Sequence, residues 1–524
     1  MTIRLVVIAT ILTGIIACAQ DEADPIPAYL SVGQLQEAMT GGEFSSAELV
    51  SHLLARIEEI DRRGPGLHSI IEINPDALAI ATALDDERRA GRVRGPLHGI
   101  PIVLKANIDT GDRMATTAGS LALAGHRAPD DAFHVAALRE AGAIILGKTN
   151  LSEWANFRSS ASSSGWSGIG GQTKNPYVLN RNPCGSSSGS AVAVAAGLVP
   201  LAIGTETDGS VICPSGINGV VGIKPTVGLV SRDGIIPISH TQDTAGPMAR
   251  SVWDAALLLS AMAKKDATDP ASAGYPGDKD YTAGLSAAAL DSVRIGVWRK
   301  YRAAGKRPRV EAIFEQTIAR LKELGATIVD PIDFAVPDLA NDAEYEVFLY
   351  EFKTNLNQYL AGAGVEPPAD TLAGIIAFNR DHADESMPWF GQDILEQAEG
   401  KGTLDEPEYL RALENSNTAM RRALDEVLSR HALDAIVAPS NSPAWQTNFL
   451  NGDHDRHFLS SSGPAAIAGY PAISLPAGEV LGLPVGITFL GAPFTEEKLI
   501  RYAFLLEQAI KARKNPQFIR SLEE

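Results

Sequence analysis

Apolar positions along the chain alternate between helical spacing and short continuous runs. Residues 31–63 carry apolar side chains at helical spacing on either side of a double glycine, which predicts two helices joined by a turn. The Ala-rich residues 76–91 predict a third helix. An apolar run bounded by glycine and proline in residues 96–108 predicts a buried strand. A helix over 132–143 and a strand over 144–146 continue the alternation, which is typical of an α/β fold.

The second half of the chain continues this pattern after a long polar segment. Residues 158–190 are rich in Ser, Gly and Asn, and a loop of this length inside a domain is usually functional. Residues 199–224 contain strand-like pieces around a Gly-rich turn. Further helices are predicted at 191–198, 251–263, 308–325 and through 340–430, and late strands at 433–440 and 470–490.

The N-terminus has the pattern of an export signal. Residues 5–17 are apolar and follow Arg4, but the run is shorter than the roughly 20 residues that span a bilayer. We therefore predict a signal peptide over 1–17 and an exported protein facing the periplasm. Residues 15–18 resemble a bacterial lipobox, which would make Cys18 the lipidated mature N-terminus; the alternative is an ordinary cleaved signal. Residues 18–30 are interpreted as a linker, and 31–515 as one large domain.

Charge and cysteine content exclude several classes of function. The chain has 524 residues and a net charge of −18, which disfavours binding to nucleic acid or adsorption to anionic membranes. The three cysteines form no CxxC pair and no Cys/His cluster, so no metal site is expected. Cys184 and Cys213 are either a disulfide, if the protein is exported, or two buried thiols.

Two Ser/Gly segments and one lysine are the strongest candidates for chemistry. The segments run from Gly185 to Ser190 and from Thr205 to Ser210, and Lys105 ends an apolar strand. A serine hydroxyl is a weak nucleophile until a base removes its proton. A lysine can act as that base when burial lowers its pKa. Glycine beside the nucleophile lets backbone N–H groups come close enough to hold an oxyanion.

Together these segments resemble the amidase signature family. That family has a GGSSGGS-type segment followed by a GGS nucleophile loop, and Ser186 precedes Ser210 by 24 residues. Its upstream lysine follows a GIP-type strand, as Lys105 follows Gly99 to Pro101. The stretches GKTNLSEWA, GYPAISLPAG and LPVGITFLG are also similar, so the resemblance covers roughly residues 30–510.

Within this family the chain is most similar to bacterial peptide amidases, which remove the C-terminal amide of peptides. The similar stretches are EWANF, GGQTKNPY, PCGSSSGSAVAVAA, IGTETDGS and GLVSRDGIIPIS. The resemblance implies that Ser210 is the nucleophile, Ser186 the bridging serine, often preceded by a cis peptide bond, and Lys105 the base. The implied oxyanion hole consists of the backbone N–H groups of Thr207, Asp208, Gly209 and Ser210.

Three positions depart from the family pattern. Asp208 replaces a glycine of the nucleophile loop, Ile212 replaces the usual arginine, and Ala106 follows the lysine where aspartate is common. The missing arginine argues against a glutamine-type amidotransferase, because a charged anchor for that substrate is absent.

Several alternatives stay open at this point. Lys148 is a rival base, and residues 186–190 alone would suit a polar loop capping the next helix. Gly185, Ser187 and Gly189 fit the GxSxG elbow of another hydrolase class, but no strand precedes them, and His454 and His457 lie in a polar loop. The aromatic group at Tyr345, Phe348, Tyr350 and Phe352 is either core or a wall of the substrate channel.

The resemblance implies an α/β/α sandwich around a mixed β-sheet that hydrolyses linear amide bonds through an acyl-enzyme. It implies no cofactor, no metal and no obligate protein partner. C-terminal peptide amides are the expected substrates; small aryl, aliphatic or fatty amides are the alternative. A catalytically silent binding protein on the same fold is the alternative of another class, and the complete Ser/Ser/Lys set argues against it.

Overall fold

The computed structural model describes residues 26–286, 289–334, 340–453, 455 and 457–522. The predicted signal peptide over 1–17, Cys18, most of the linker and His454 lie outside these residues and stay predictions. In the part of the chain that is described, no helix is both long and apolar enough to cross a membrane.

A mixed sheet of eleven strands forms the centre of the molecule, and a separate two-stranded ladder, β4 with β5, lies in the loop after β3. The order in the large sheet is β1-β3-β2-β6-β8-β7-β12-β13-β11-β9-β10. The strands are β1 Ile70–Ile73, β2 Pro101–Lys105, β3 Ile144–Thr149, β4 Trp166–Ser167, β5 Gly171–Gln172, β6 Leu201–Glu206, β7 Val221–Lys224, β8 Thr244–Ala249, β9 Arg294–Trp298, β10 Thr327–Ile332, β11 Ala435–Pro439, β12 Ala472–Val480 and β13 Leu483–Leu490.

Helices cover the sheet and extend beyond it. They are α1 Val32–Gly41, α2 Ser46–Arg56, α3 Ala77–Arg89, α4 Phe133–Glu140, α5 Ser188–Ala195, α6 Ile212–Ile217, α7 Val252–Met262, α8 Pro308–Glu323, α9 Ala340–Gly362, α10 Leu372–Asp381, α11 Ala383–Ser386, α12 Asp393–Glu399, α13 Pro407–Leu413, α14 Ala419–Arg430, α15 Gly463–Ala468 and α16 Glu496–Ile510. This confirms the α/β sandwich around a mixed sheet and the single large domain.

Most of the core lies between the sheet and two groups of helices. α7, α8 and α16 contact one another and pack on the sheet, and so do α5 and α6. α5 has the sequence SGSAVAVA and is buried over its whole length, because its small side chains let it lie close to the strands. A second apolar cluster joins α9, α10 and α12 to the loop after β3.

The sheet topology sets the position of the candidate site. β2 is parallel to β6 and pairs with it directly, with Val103 opposite Ala202 and Leu104 opposite Ile203. Parallel neighbours end at the same edge of a sheet. The residues that follow β6 are therefore brought next to Lys105, the last residue of β2.

Candidate active site

Lys105 forms a direct contact with the first Ser/Gly segment. Its Nζ lies 2.7 Å from Ser186 Oγ, 2.8 Å from Thr205 Oγ1 and 3.1 Å from Thr205 O. Lys105 is fully buried and Ser186 is 1% exposed, so water does not compete for these contacts. The structure thus brings together one of the two contacts that a Ser–Ser–Lys relay requires.

The surroundings of Lys105 favour its neutral form. Burial lowers the pKa of Lys105 from 10.5 to about 7, although the charges of Asp243 and Glu206 raise it in part. A neutral amine has two N–H groups and one lone pair. The carbonyl of Thr205 can only accept, and Thr205 Oγ1 already accepts from Asn107 Nδ2 at 3.0 Å. When both N–H groups serve Thr205, the lone pair of Lys105 is left for the hydroxyl of Ser186.

The loop that carries Ser186 is locked against the strand that carries the nucleophile loop. The Gly185–Ser186 peptide bond is cis, as the family resemblance implies. The hydroxyl of Ser187 donates to Thr205 O at 3.0 Å and accepts from Thr205 N at 3.2 Å. A Cβ added at Gly204 would lie 2.6 Å from Ser187 Oγ, so only glycine permits this approach.

Ser210 lies between β6 and α6 and is nearly buried, at 7% exposure. Its carbonyl accepts from Ser187 N at 3.1 Å, which joins the two loops directly. Its hydroxyl makes no hydrogen bond with any residue that the structure describes. Catalytic hydrogen bonds are often open before substrate binds and tighten afterwards. The contact between Ser186 and Ser210 is therefore the part of the relay that remains to be closed.

The four predicted oxyanion-hole residues present unused donors. Within the described ranges, no hydrogen bond uses the backbone N–H of Thr207, Asp208, Gly209 or Ser210. Gly209 has φ of +75°, and a Cβ there would lie 2.9 Å from Ser462 Oγ. Glycine is thus required for the turn that exposes these donors.

The two N–H groups that follow Ser210 are used differently. Glu206 Oε2 accepts from the N–H of Val211 at 2.6 Å and of Ile212 at 2.9 Å. This carboxylate therefore fixes the chain on both sides of the nucleophile. Its other oxygen, Oε1, is buried without a hydrogen-bond partner in the described part of the chain.

Acidic side chains surround the nucleophile loop. Asp208 is exposed to solvent, yet the protein around it desolvates the carboxyl and, with the charge of Glu206, raises its pKa to about 6. Its Oδ1 accepts from Ser462 Oγ at 3.0 Å. Glu344 of α9 is buried, and its pKa is well above the usual value because of burial and the charge of Asp208.

Asp243 and Gln242 hold the start of the same loop from β8. The hydroxyl of Thr207 donates to Asp243 Oδ1 at 2.6 Å, and Gln242 Nε2 donates to Thr207 O at 3.2 Å. The sequence reasoning missed these two residues as well as Thr205, Asn107 and Glu206. Thr205 and Glu206 lie in a segment that drew attention, but no spacing signal marked residues 242 and 243.

The structure decides two of the alternatives. Lys148 is buried, and its Nζ donates to Ile108 O and to Thr116 Oγ1, the latter at 3.2 Å, so it contacts neither candidate serine. The GxSxG serine, Ser187, donates its hydroxyl to a backbone carbonyl and bonds to no histidine in the described ranges. Both residues therefore have structural positions.

The aromatic group on α9 is largely core. Phe352 and Tyr350 are buried, whereas Tyr345 and Phe348 are only half-buried. The ring of Phe157 contacts Tyr345, Phe348 and Phe352 at centroid distances of 6.2, 6.0 and 5.1 Å. Tyr350 points elsewhere, because its hydroxyl donates to Glu406.

Cys184 and Cys213 are joined by a disulfide, with their Cα atoms 6.1 Å apart. Of the two interpretations that the sequence left open, the structure has the bonded one. Cys184 stands two residues before Ser186, and Cys213 stands three after Ser210. The bond thus connects the two candidate catalytic loops.

A mixed-sheet α/β domain with a buried lysine on a serine, beside a second serine loop, defines the class as a serine hydrolase of amide bonds. The Amidase family model matches residues 48–500, and the chain belongs to this family. It is a hydrolase acting on amide C–N bonds.

Known relatives span nearly the whole chain. A solved peptide amidase from Stenotrophomonas maltophilia is 49% identical with a TM-score of 0.88, over 93% of this chain and 98% of that one. A protein of Arabidopsis thaliana named "probable amidase" is 40% identical over 91% of this chain and 90% of its own length. One polypeptide of the glutamyl-tRNA(Gln) amidotransferase of Symbiobacterium thermophilum is 35% identical over 92% of this chain and 97% of its own length.

Proposed function

We propose that this protein removes the C-terminal amide group from peptides and releases ammonia through an acyl-enzyme on Ser210. The observation that carries the proposal is the buried contact of 2.7 Å between Lys105 Nζ and Ser186 Oγ, at a lysine whose pKa is lowered to about 7. The similarity to a solved peptide amidase supports the choice of substrate.

The proposed reaction begins with proton transfer. Neutral Lys105 takes the proton of Ser186, which takes the proton of Ser210 as its oxygen attacks the amide carbonyl. The N–H groups of residues 207–210 stabilise the oxyanion, usually the largest catalytic contribution. The relay then returns the proton to the leaving nitrogen and ammonia departs. Water attacks the acyl-enzyme along the same path and releases the peptide acid.

Charge around the nucleophile favours an uncharged carboxamide over an anionic substrate. Ile212 is an apolar, buried residue where the family usually has arginine, and Asp208 adds a carboxylate two residues before Ser210. A carboxylate substrate would meet a carboxyl group and no cation at these two positions. The product acid is likewise repelled by Asp208 once both are ionised, which favours its release.

We also propose that the protein works after export. Disulfides persist in oxidising compartments such as the periplasm and are rare in the cytosol. The bond between Cys184 and Cys213 therefore supports the export that residues 1–17 predict, with lipidation of Cys18 as the proposed anchor. Fractionation of cells producing the full chain tests this; recovery of the uncleaved chain in the cytosol would contradict it.

The test of the enzymatic proposal is ammonia release from an N-acetylated dipeptide amide. Parent protein, Ser210→Ala, Lys105→Met and Lys148→Met are compared. The first two variants should lose activity by about 10⁴-fold or more, because members of a catalytic unit act together. Lys148→Met is the matched control, since it removes an equally buried lysine that contacts neither serine.

Two results would limit the proposal in different ways. Equal loss in Lys148→Met and Lys105→Met would contradict the specific role of Lys105. A folded parent that releases no ammonia but reacts with a fluorophosphonate at Ser210 would keep the nucleophile and reject the peptide-amide substrate. Aryl, small aliphatic and fatty amides would then be profiled.

A further inference from the structure

The disulfide between Cys184 and Cys213 lies where a covalent link affects geometry most. It closes a segment of 29 residues that contains both Ser186 and Ser210 near its ends. The backbone N–H of Cys213 donates to Gly209 O at 2.8 Å, so this sulfur is anchored one turn from the oxyanion-hole residues.

On the other side, the backbone of Cys184 is held in an uncommon conformation. Its φ is +57°, in the left-handed region that non-glycine residues rarely adopt. Asn182 Oδ1 accepts from Cys184 N at 2.7 Å, and the hydroxyl of Ser188 donates to Cys184 O at 2.5 Å. Cys184 thus sets the direction in which the chain enters the bridging serine.

Without the disulfide, the two loops would be held only by hydrogen bonds. Asn218 Nδ2 donates to Pro183 O and to Pro214 O, both at 2.8 Å, and Ser187 N donates to Ser210 O at 3.1 Å. Lys105 and Ser186 are positioned independently by β2 and Thr205. The separation that depends on the disulfide is therefore the one between Ser186 and Ser210, which is still open in the structure.

We propose that the Cys184–Cys213 disulfide is a redox-sensitive positioning element that holds Ser186 and Ser210 in register for proton transfer. Reduction by a dithiol breaks the S–S bond, leaves a thiol on each cysteine and oxidises the dithiol to its cyclic disulfide, with transfer of two electrons and two protons. The reduced enzyme keeps its fold and its lysine–serine contact but loses rate. The inference rests on the proposed roles of Ser186 and Ser210.

The experiment compares the parent with Cys184→Ala/Cys213→Ala at 25 °C, before and after treatment with dithiothreitol. Both cysteines are 7% exposed, so completeness of reduction is verified by alkylation and mass measurement. Since a displacement of about 1 Å at a catalytic group can cost roughly 100-fold, we expect kcat to fall at least about tenfold with KM changed less than about twofold. Reoxidation restores the parent, and the double variant does not respond to dithiothreitol.

Leu483→Ala is the matched control for stability. Leu483 packs in the same apolar cluster as the two cysteines, so its truncation lowers the melting temperature without cutting the link. This variant should keep its kcat and lose activity on reduction as the parent does. A folded double variant with kcat within about twofold of the parent would overturn the proposal, and so would a fully reduced parent with unchanged kcat.

A second readout separates this inference from the proposed function. The rate of fluorophosphonate labelling at Ser210 needs the same proton relay but no amide substrate. Slower labelling after reduction supports the disulfide's role even if peptide amides are not the substrate. Failure of the parent to label at Ser210 would reject the nucleophile itself, whatever the redox state.

Discussion

Lys105 gives the enzyme a defined pH dependence. Only the unprotonated amine can accept the proton that Ser186 passes on, and burial lowers the pKa of Lys105 to about 7. At that pKa the unprotonated fraction is about 91% at pH 8, 9% at pH 6 and 1% at pH 5. We therefore expect kcat/KM to rise with pH, to reach a plateau above pH 8, and to fall about 90-fold between pH 8 and pH 5.

The assay is ammonia release from an N-acetylated dipeptide amide at a concentration well below KM. The acetyl group removes the titrating amine, so the substrate has no charge change between pH 5 and pH 10. Enzyme held at each pH and returned to pH 8 must recover full activity, which excludes acid unfolding. A lysine with its ordinary pKa of 10.5 would instead give a rate that still climbs about tenfold per pH unit at pH 9.

Asp243→Asn is the perturbation that ties this profile to the structure. The charge of Asp243 raises the pKa of Lys105, so its removal should shift the acidic limb to lower pH. The plateau should fall at the same time, because Thr207 of the oxyanion loop loses a charged acceptor. A rate independent of pH between 5 and 9, or a limb unmoved in Asp243→Asn, would refute the reasoning.

Three further variants test other parts of the site. Gly209→Ala places a Cβ 2.9 Å from Ser462 Oγ at a φ of +75°, and should lower kcat by about 100-fold, as loss of an oxyanion donor does; an active variant would place the oxyanion elsewhere. Removal of the Cys184–Cys213 bond, which closes 29 residues, should cost about 3.6 kcal/mol of unfolding free energy, measured by denaturant titration against the oxidised parent. Lys148→Met leaves a backbone carbonyl and a hydroxyl without their donor, so unfolding should become about 1–3 kcal/mol easier; a moved pH limb in this variant would contradict its structural position.

Elements with a strong apolar pattern were predicted correctly from the sequence. The turn between α1 and α2 and the strands β2, β3, β12 and β13 lie where the pattern predicts them. β8 was missed, although it lies in the middle of the sheet between β6 and β7. Its sequence, TAGPMA, contains glycine and proline, which normally argue against a central strand. Pairing on both sides overrides that local preference.

The same reason limits the prediction of the site. Lys105 and Ser186 were found because a family pattern marks them, and the structure places them in contact. Asp243 and Gln242 reach Thr207 only because β8 pairs with β6, a neighbour relation that spacing along the chain does not encode. The state of Cys184 and Cys213 stayed open for a related reason, since a disulfide depends on the distance between Cα atoms in the folded chain.

The position of the candidate groups along the chain separates the reaction from the choice of substrate. Lys105, Ser186 and Ser210 come from one stretch that contributes β2, β3 and β6, whereas Glu344 and the aromatic group belong to α9, much later in the sequence. Exchange of α9 to α13 for the corresponding helices of a relative would leave every strand end that positions the relay untouched. In this architecture new substrates are reached by grafting helices, while the inherited chemistry stays in place.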